Sequence, residues 1–246
     1  MKRAAPFVKT PFLRWLVRII LCLLAFSILL VLVLKWVPVR YTPLMLKRSF
    51  EYRADSSFHT QKAWVPLQSF SPALRKAVIR TEDRHFCYNH GFNFDSLLNV
   101  ATVRRVWQDH WREDKPMRGF STISQQTAKN VFTFGAQNVF RKVVEAWWTV
   151  LIEVIWGKPR ILEVYLNVVE TGVGMYGFET AARVYYGIPA SELDLKRSFD
   201  LATCLRDPRL LSPLEQPDAA HRELWDLQAV RMQNLPNVQF PDWVEE

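Results

Sequence analysis

Two acidic positions and the polar run between them hold most of the residues in this sequence that can do bond-making chemistry. Glu82 and Asp83 fall at the C-terminal end of a helix predicted over residues 73–84, opened by Ser71 as N-cap and Pro72 at the first helical position. Two carboxylates there oppose the helix macrodipole, an unfavourable placement that points to a role; a solvated acidic pair beside Arg80 and Arg84 is the plain alternative. Glu145 lies inside an apolar segment, 140–156, four residues after Arg141 and so on the same helical face. That segment is hydrophobic nearly all round, which predicts a buried helix, and its ionisable residues Arg141, Lys142, Glu145 and Glu153 must then be paired or functional. Between the acids runs 118–130, RGFSTISQQTAKN, with Gly119 followed by Ser121, Thr122, Ser124, Gln125, Gln126, Thr127, Lys129 and Asn130. Thr122 and Gln125 have the spacing of a capping box, placing a helix start at Thr122. Its free N–H groups and Lys129 would suit an anion, phosphate first, while the bland alternative is a capped, solvated helix.

Several chemistries are excluded by absence of their motifs. There is no GxSxG elbow, no GxxxxGK[ST] phosphate loop and no HExxH, and His85 and His90 are five apart, wrong for two ligands on one helical face. The serine-x-x-lysine and lysine-threonine-glycine pairs of transpeptidases are absent too. Cys22, Cys87 and Cys204 form no CxxC pair, so a metal cluster or disulfide framework is not expected and free thiols are favoured over a Cys87–Cys204 bridge.

The elements that must position these groups begin with an anchor. Residues 19–34 carry no charge, and with Arg18 snorkelling the apolar run reaches about twenty residues, enough for one membrane span. No small-x-small site follows, which favours a retained anchor over a cleaved signal. Lys2, Arg3, Lys9, Arg14 and Arg18 before the span favour a cytoplasmic N-terminus, although Lys35, Arg40, Lys47 and Arg48 beyond it weaken the asymmetry. Residues 1–40 are therefore read as tail and anchor, and 41–246 as one domain. Helices are predicted over 94–111, 160–167, 178–186 and 199–206, with Ser191 capping a turn before the last of these, and a final helix to about 234 with Asp218 as its cap. No stretch alternates as a strand, so the fold class is mainly α. The formal net charge of +8 favours an anionic partner: a phospholipid surface, a diphosphate-bearing substrate or nucleic acid. Carboxylates on separate helices, an anion-friendly helix start and an anchor together point to glycosyl transfer from a lipid-linked diphosphate sugar, with one carboxylate accepting a hydroxyl proton and cations stabilising the departing diphosphate.

The chain resembles the biosynthetic peptidoglycan glycosyltransferases (transglycosylases) in their short, monofunctional form. The resemblance is carried by EDRHF at 82–86 with His90-Gly91-Phe92, by Gly119 with STISQQTAKN, by RKVVE at 141–145, by Lys158 with ILEVYLN, and by GFETAARVYYG at 177–187. Trp64-Val65-Pro66-Leu67 upstream is also similar. The family implies a lysozyme-like helical domain beside the bacterial inner membrane, on its outer face, that polymerises lipid II into β-1,4 glycan with inversion. It implies Glu82 as general base and Glu145 as an aid to the diphosphate, directly or through a divalent cation such as Mg²⁺, with no tightly bound cofactor. Asp83, Phe86, Gly119, Ser121, Thr122, Gln125, Gln126, Lys129, Asn130, Arg141 and Lys142 would line the substrate side, with Lys158 and Asn167 close behind. Residues 97–111 correspond to the family's membrane-dipping region. Implied partners are lipid II, the growing glycan, membrane lipids and other wall synthases, not nucleic acid. The sequence departs from the family pattern at Phe120, Gln137, Asn93 and 205–208, LRDP. These departures leave a second expectation, a catalytically weak anchored scaffold of the wall-synthesis complex, and a third, a lysozyme-like hydrolase.

Overall fold

The computed structural model describes residues 11–93, 121–134, 139–215 and 221–246. Over these the chain is mainly helical, and elements are numbered in chain order. Helix α1 (Pro11–Leu34) is a 24-residue apolar rod whose most apolar 18-residue stretch has a mean hydropathy of 3.0 and is only 11% buried, a candidate membrane anchor by length and composition. Thr42 then caps α2 (Pro43–Glu51), a helix not expected from the sequence, with Pro43 in its first turn.

The domain core is built around α4 (Ile123–Phe132), which packs between α5 (Val139–Ile155) and α6 (Lys158–Val168). Phe132 stacks on Trp148 with ring centroids 4.2 Å apart and tilts against Trp156, fixing α4 to α5. Helix α3 (Pro72–Glu82), capped by Ser71, packs on α8 (Leu195–Cys204) and α9 (Arg222–Gln233). A short C-terminal turn, α10 (Asp242–Glu245), closes over α3: the buried Arg75 donates to the Trp243 carbonyl at 2.8 Å, and Val244 enters the core.

Three details differ from the sequence-based expectations. A small three-stranded sheet, order β1-β3-β2, joins Gln61–Lys62, Glu170–Gly172 and Met175–Tyr176, with β1 parallel and β2 antiparallel to β3. Strands of two or three residues are too short to show alternation. Gly177 leads from β3 into α7 (Phe178–Tyr186) at φ +83, where a Cβ would lie 2.8 Å from the Asn167 carbonyl oxygen. Helix α8 starts at Leu195 with Asp194 as its cap, four residues ahead of the expected start. Helix α5 is not buried all round: Val143, Trp147, Val150 and Val154 are exposed. The expected surface helix within 94–111, the cap at Asp218, and Gly119, Phe120 and Gln137 lie outside the described residues. All three cysteines are free.

Candidate active site

Helix α3 ends at the edge of a cavity of about 620 Å³ enclosed by α2, α4, β2, α9 and the segment after α8. Glu82 lines it, and the amide of Gln126 donates to Glu82 Oε2 at 2.8 Å. Gln126 is itself held by the hydroxyl of the fully buried Tyr165, which donates to Gln126 Oε1 at 3.2 Å. The carboxylate is thus oriented through one amide and one phenol. Burial raises its proton affinity; the Gln126 hydrogen bond and then Arg206, Arg231 and Lys129 oppose that shift.

The cavity is cationic on several walls. Lys47 and Arg48 reach it from α2, Lys129 from α4, Arg141 from α5, Arg206 and Arg209 from the segment after α8, and Arg231 from α9, against Glu82, Glu170 and Asp207 as acids. Such a concave, cation-rich surface focuses a positive field on whatever anion enters. Lys129 lies between the two sequence-predicted acids: burial lowers its pKa, Glu145 and Glu82 each favour its charged form, and Arg141 and Lys142 disfavour it.

Of the predicted positions, Glu82, Ser121, Gln126, Lys129, Asn130 and Arg141 meet at this cavity. The expectation for Glu145 differs from the geometry. Its carboxylate is 2% exposed and absent from the cavity lining, Arg141 Nη1 donates to its Oε2 at 2.6 Å, and Lys142 Nζ to its Oε1 at 2.5 Å. Glu145 therefore stands behind the cations and orients them. Both Glu145 oxygens serve ammonium and guanidinium groups, and among the described residues no group of three or more acids, histidines or cysteines could by itself hold a metal ion.

The helix start at Thr122 also differs from expectation, because the protein supplies its own anion. Asp83 accepts from Ile123 N at 3.2 Å, from His85 N at 3.3 Å and from the Asn89 amide at 3.0 and 3.1 Å. Thr122 and Gln125 form the predicted capping box, and the Thr122 hydroxyl donates to the Gly91 carbonyl at 2.7 Å. Gly91, at φ +86, has no room for a side chain, since a Cβ would lie 2.8 Å from Glu153 Cγ. Asp83 is thereby a tie between the end of α3 and the start of α4, and it fixes Glu82 relative to Gln126. Asp83→Ala is expected to lower the melting temperature, with a stability loss on the order of 1–2 kcal/mol as for a lost helix cap, measured by thermal unfolding followed by circular dichroism.

Phe86, Lys158 and Asn167 are framework. The Lys158 ammonium lies 4.7 Å from the Phe86 ring centroid, pairs with Glu153 at 2.7 Å and donates to Asn89 Oδ1 at 2.9 Å. Asn167 is fully buried and brackets Val65, donating to its carbonyl at 2.8 Å and accepting from its N–H at 2.9 Å. Sequence reasoning did not assign Lys47, Arg48, Glu170, Arg206, Arg209 or Arg231 to the site; the one available signal was Arg206, inside the unusual LRDP segment.

The transglycosylase family profile matches residues 50–233. A protein of Caulobacter vibrioides is 40% identical over 202 residues, 82% of this chain and 83% of its own length. One of Chromohalobacter salexigens is 41% identical over 198 residues, 80% of this chain and 82% of its own. One of Vibrio parahaemolyticus is 39% identical over 227 residues, 92% of this chain and 97% of its own. Each of the three carries the name biosynthetic peptidoglycan transglycosylase.

Proposed function

The chain belongs to the transglycosylase family, and from that premise we propose that it is a peptidoglycan glycosyltransferase that polymerises lipid II into β-1,4 glycan strands, anchored by α1 with its domain on the outer face of the bacterial inner membrane. The observation that carries the reading is a half-buried, amide-oriented carboxylate, Glu82, in a cavity whose other charged residues are mostly lysine and arginine. A hydrolase acting on neutral glycan has no use for that cation excess; a transferase that expels a diphosphate does.

The acceptor sugar's 4-hydroxyl gives its proton to the Glu82 carboxylate as its oxygen attacks the donor's anomeric carbon. The bond from that carbon to the diphosphate oxygen breaks, and the electron pair leaves on the diphosphate. Attack opposite the leaving group inverts the centre. Lys129 and Arg141 line the cavity where charge builds, and Glu145 holds Arg141 and Lys142 in place from behind. Purified full-length protein in detergent, given fluorescent lipid II, is expected to yield a ladder of glycan polymer. Release of soluble muropeptides from isolated walls, with no polymer from lipid II, would assign a hydrolase instead, and neither product would leave the anchored scaffold.

A further inference from the structure

Helix α5 carries an apolar stripe that the described fold does not cover. Val143, Trp147, Val150 and Val154 are 63, 37, 45 and 78% exposed. At the α-helical pitch these four fall within an arc of about 60°. The ionisable residues of α5 lie off that arc: the buried Glu145 pairs with Arg141 and Lys142, and Glu153 pairs with Lys158. An apolar face this narrow and free of charge has the pattern of a helix lying against hydrocarbon rather than water.

Its neighbour identifies the hydrocarbon. Helix α5 packs on α1, where Trp147 Nε1 donates to Ser27 Oγ at 3.2 Å and Trp156 Nε1 to the Val31 carbonyl at 2.7 Å. Counted back from Leu34 at 1.5 Å per residue, Val31 lies about 5 Å and Ser27 about 10 Å inside the end of the apolar span. If α1 crosses a bilayer, groups at those levels are below the headgroups. The two indole N–H groups, which would be costly there without partners, both have them. The stripe runs along the same stretch of α5 and, apart from Trp147 where α1 partly covers it, stays exposed.

We propose that α5 is a second membrane contact, its Val143–Trp147–Val150–Val154 stripe seated in the acyl chains of the leaflet nearest the domain. The proposal rests on the reading of α1 as a membrane span.

The test uses the full chain with Cys22, Cys87 and Cys204 replaced by alanine and a nitroxide at V154C, reconstituted in phosphatidylethanolamine/phosphatidylglycerol vesicles. Collision with oxygen and with a water-soluble nickel chelate is read by electron paramagnetic resonance, with K196C on the exposed side of α8 as the aqueous reference and V150C as a second stripe position. The expected result is loss of nickel collisions and gain of oxygen collisions at 154 and 150 relative to 196. Nickel access at 154 equal to that at 196, in protein that stays with the vesicles through an alkaline carbonate wash, overturns the proposal while leaving the span intact. Protection from both reagents overturns it in favour of a protein partner, such as another membrane helix. Release by the wash removes the span and the proposal together, leaving the glycosyltransferase reading to the lipid II assay.

Discussion

Glu82→Gln is expected to lower kcat/KM for glycan polymerisation by about 10²–10⁴-fold, the usual worth of a positioned general base, while raising the melting temperature at neutral pH. The two effects have one cause. Glutamine keeps the shape and can still meet Gln126, so the cavity stays formed, but it cannot take a proton. Burial has pushed the Glu82 acid up, ahead of the opposing Gln126 hydrogen bond and the cations Arg206, Arg231 and Lys129. A group whose folded pKa is raised contributes its stability below the unfolded value and loses it as pH rises through the folded one. Above the ordinary carboxylate range an acid shifted in this direction is therefore a cost to the fold, and its neutral isostere relieves it. Activity runs the other way, because only the carboxylate accepts the proton. The acid limb of the pH–rate profile should lie above the ordinary glutamate value and move higher in Arg206→Gln and Arg231→Gln, each of which removes a cation that favours the ionised form. Polymerisation of lipid II at the wild-type rate by the Glu82→Gln protein would refute the assignment.

Which parts of this site could be read in the sequence follows from the range of the interactions that make them. The start of α3 at Ser71-Pro72, its delivery of Glu82, and the Thr122–Gln125 capping box are local, set by residues three or four apart, and local rules reach them. The occupant of the α4 start is not local. Asp83 reaches Ile123 across forty residues of chain, and an acid in that tie looks, in sequence, like one of a solvated pair. Glu145 presents the converse case: its pairing with Arg141 is visible as an i, i+4 spacing, yet which partner faces the cavity depends on how α5 is rotated against α4. Arg206 and Arg231 lie more than a hundred residues from Glu82 and join it only because α8 and α9 pack on α3. The exposed stripe of α5 escapes the sequence for a different reason: a helix apolar all round is compatible with burial in protein or in lipid, and hydrophobicity does not say which.

Lys129→Met should reduce kcat by about 10²–10³-fold, the scale seen when one preorganised group facing transition-state charge is removed. Methionine retains the length and apolar contacts of the lysine stem, so the loss is chiefly that of the charge. Lys129 is singled out among the cavity cations by its position between Glu82 and Glu145 and by burial, which lowers its pKa first, with Arg141 and Lys142 adding to the shift. A half-buried cation is stronger toward developing charge than an exposed one, because less water screens it. It also loses its proton sooner as pH rises. The alkaline limb of the pH–rate profile is therefore expected below the ordinary lysine value, and Lys129→Arg should move that limb outward, since a guanidinium keeps its charge. Glu145→Gln provides the contrast. If Glu145 acts by orienting Arg141 and Lys142, its amide isostere should weaken diphosphate affinity while leaving the acid limb governed by Glu82 in place. Loss of that limb in Glu145→Gln would mean that Glu145, not Glu82, takes the proton, and the division of labour between the two acids would have to be reversed.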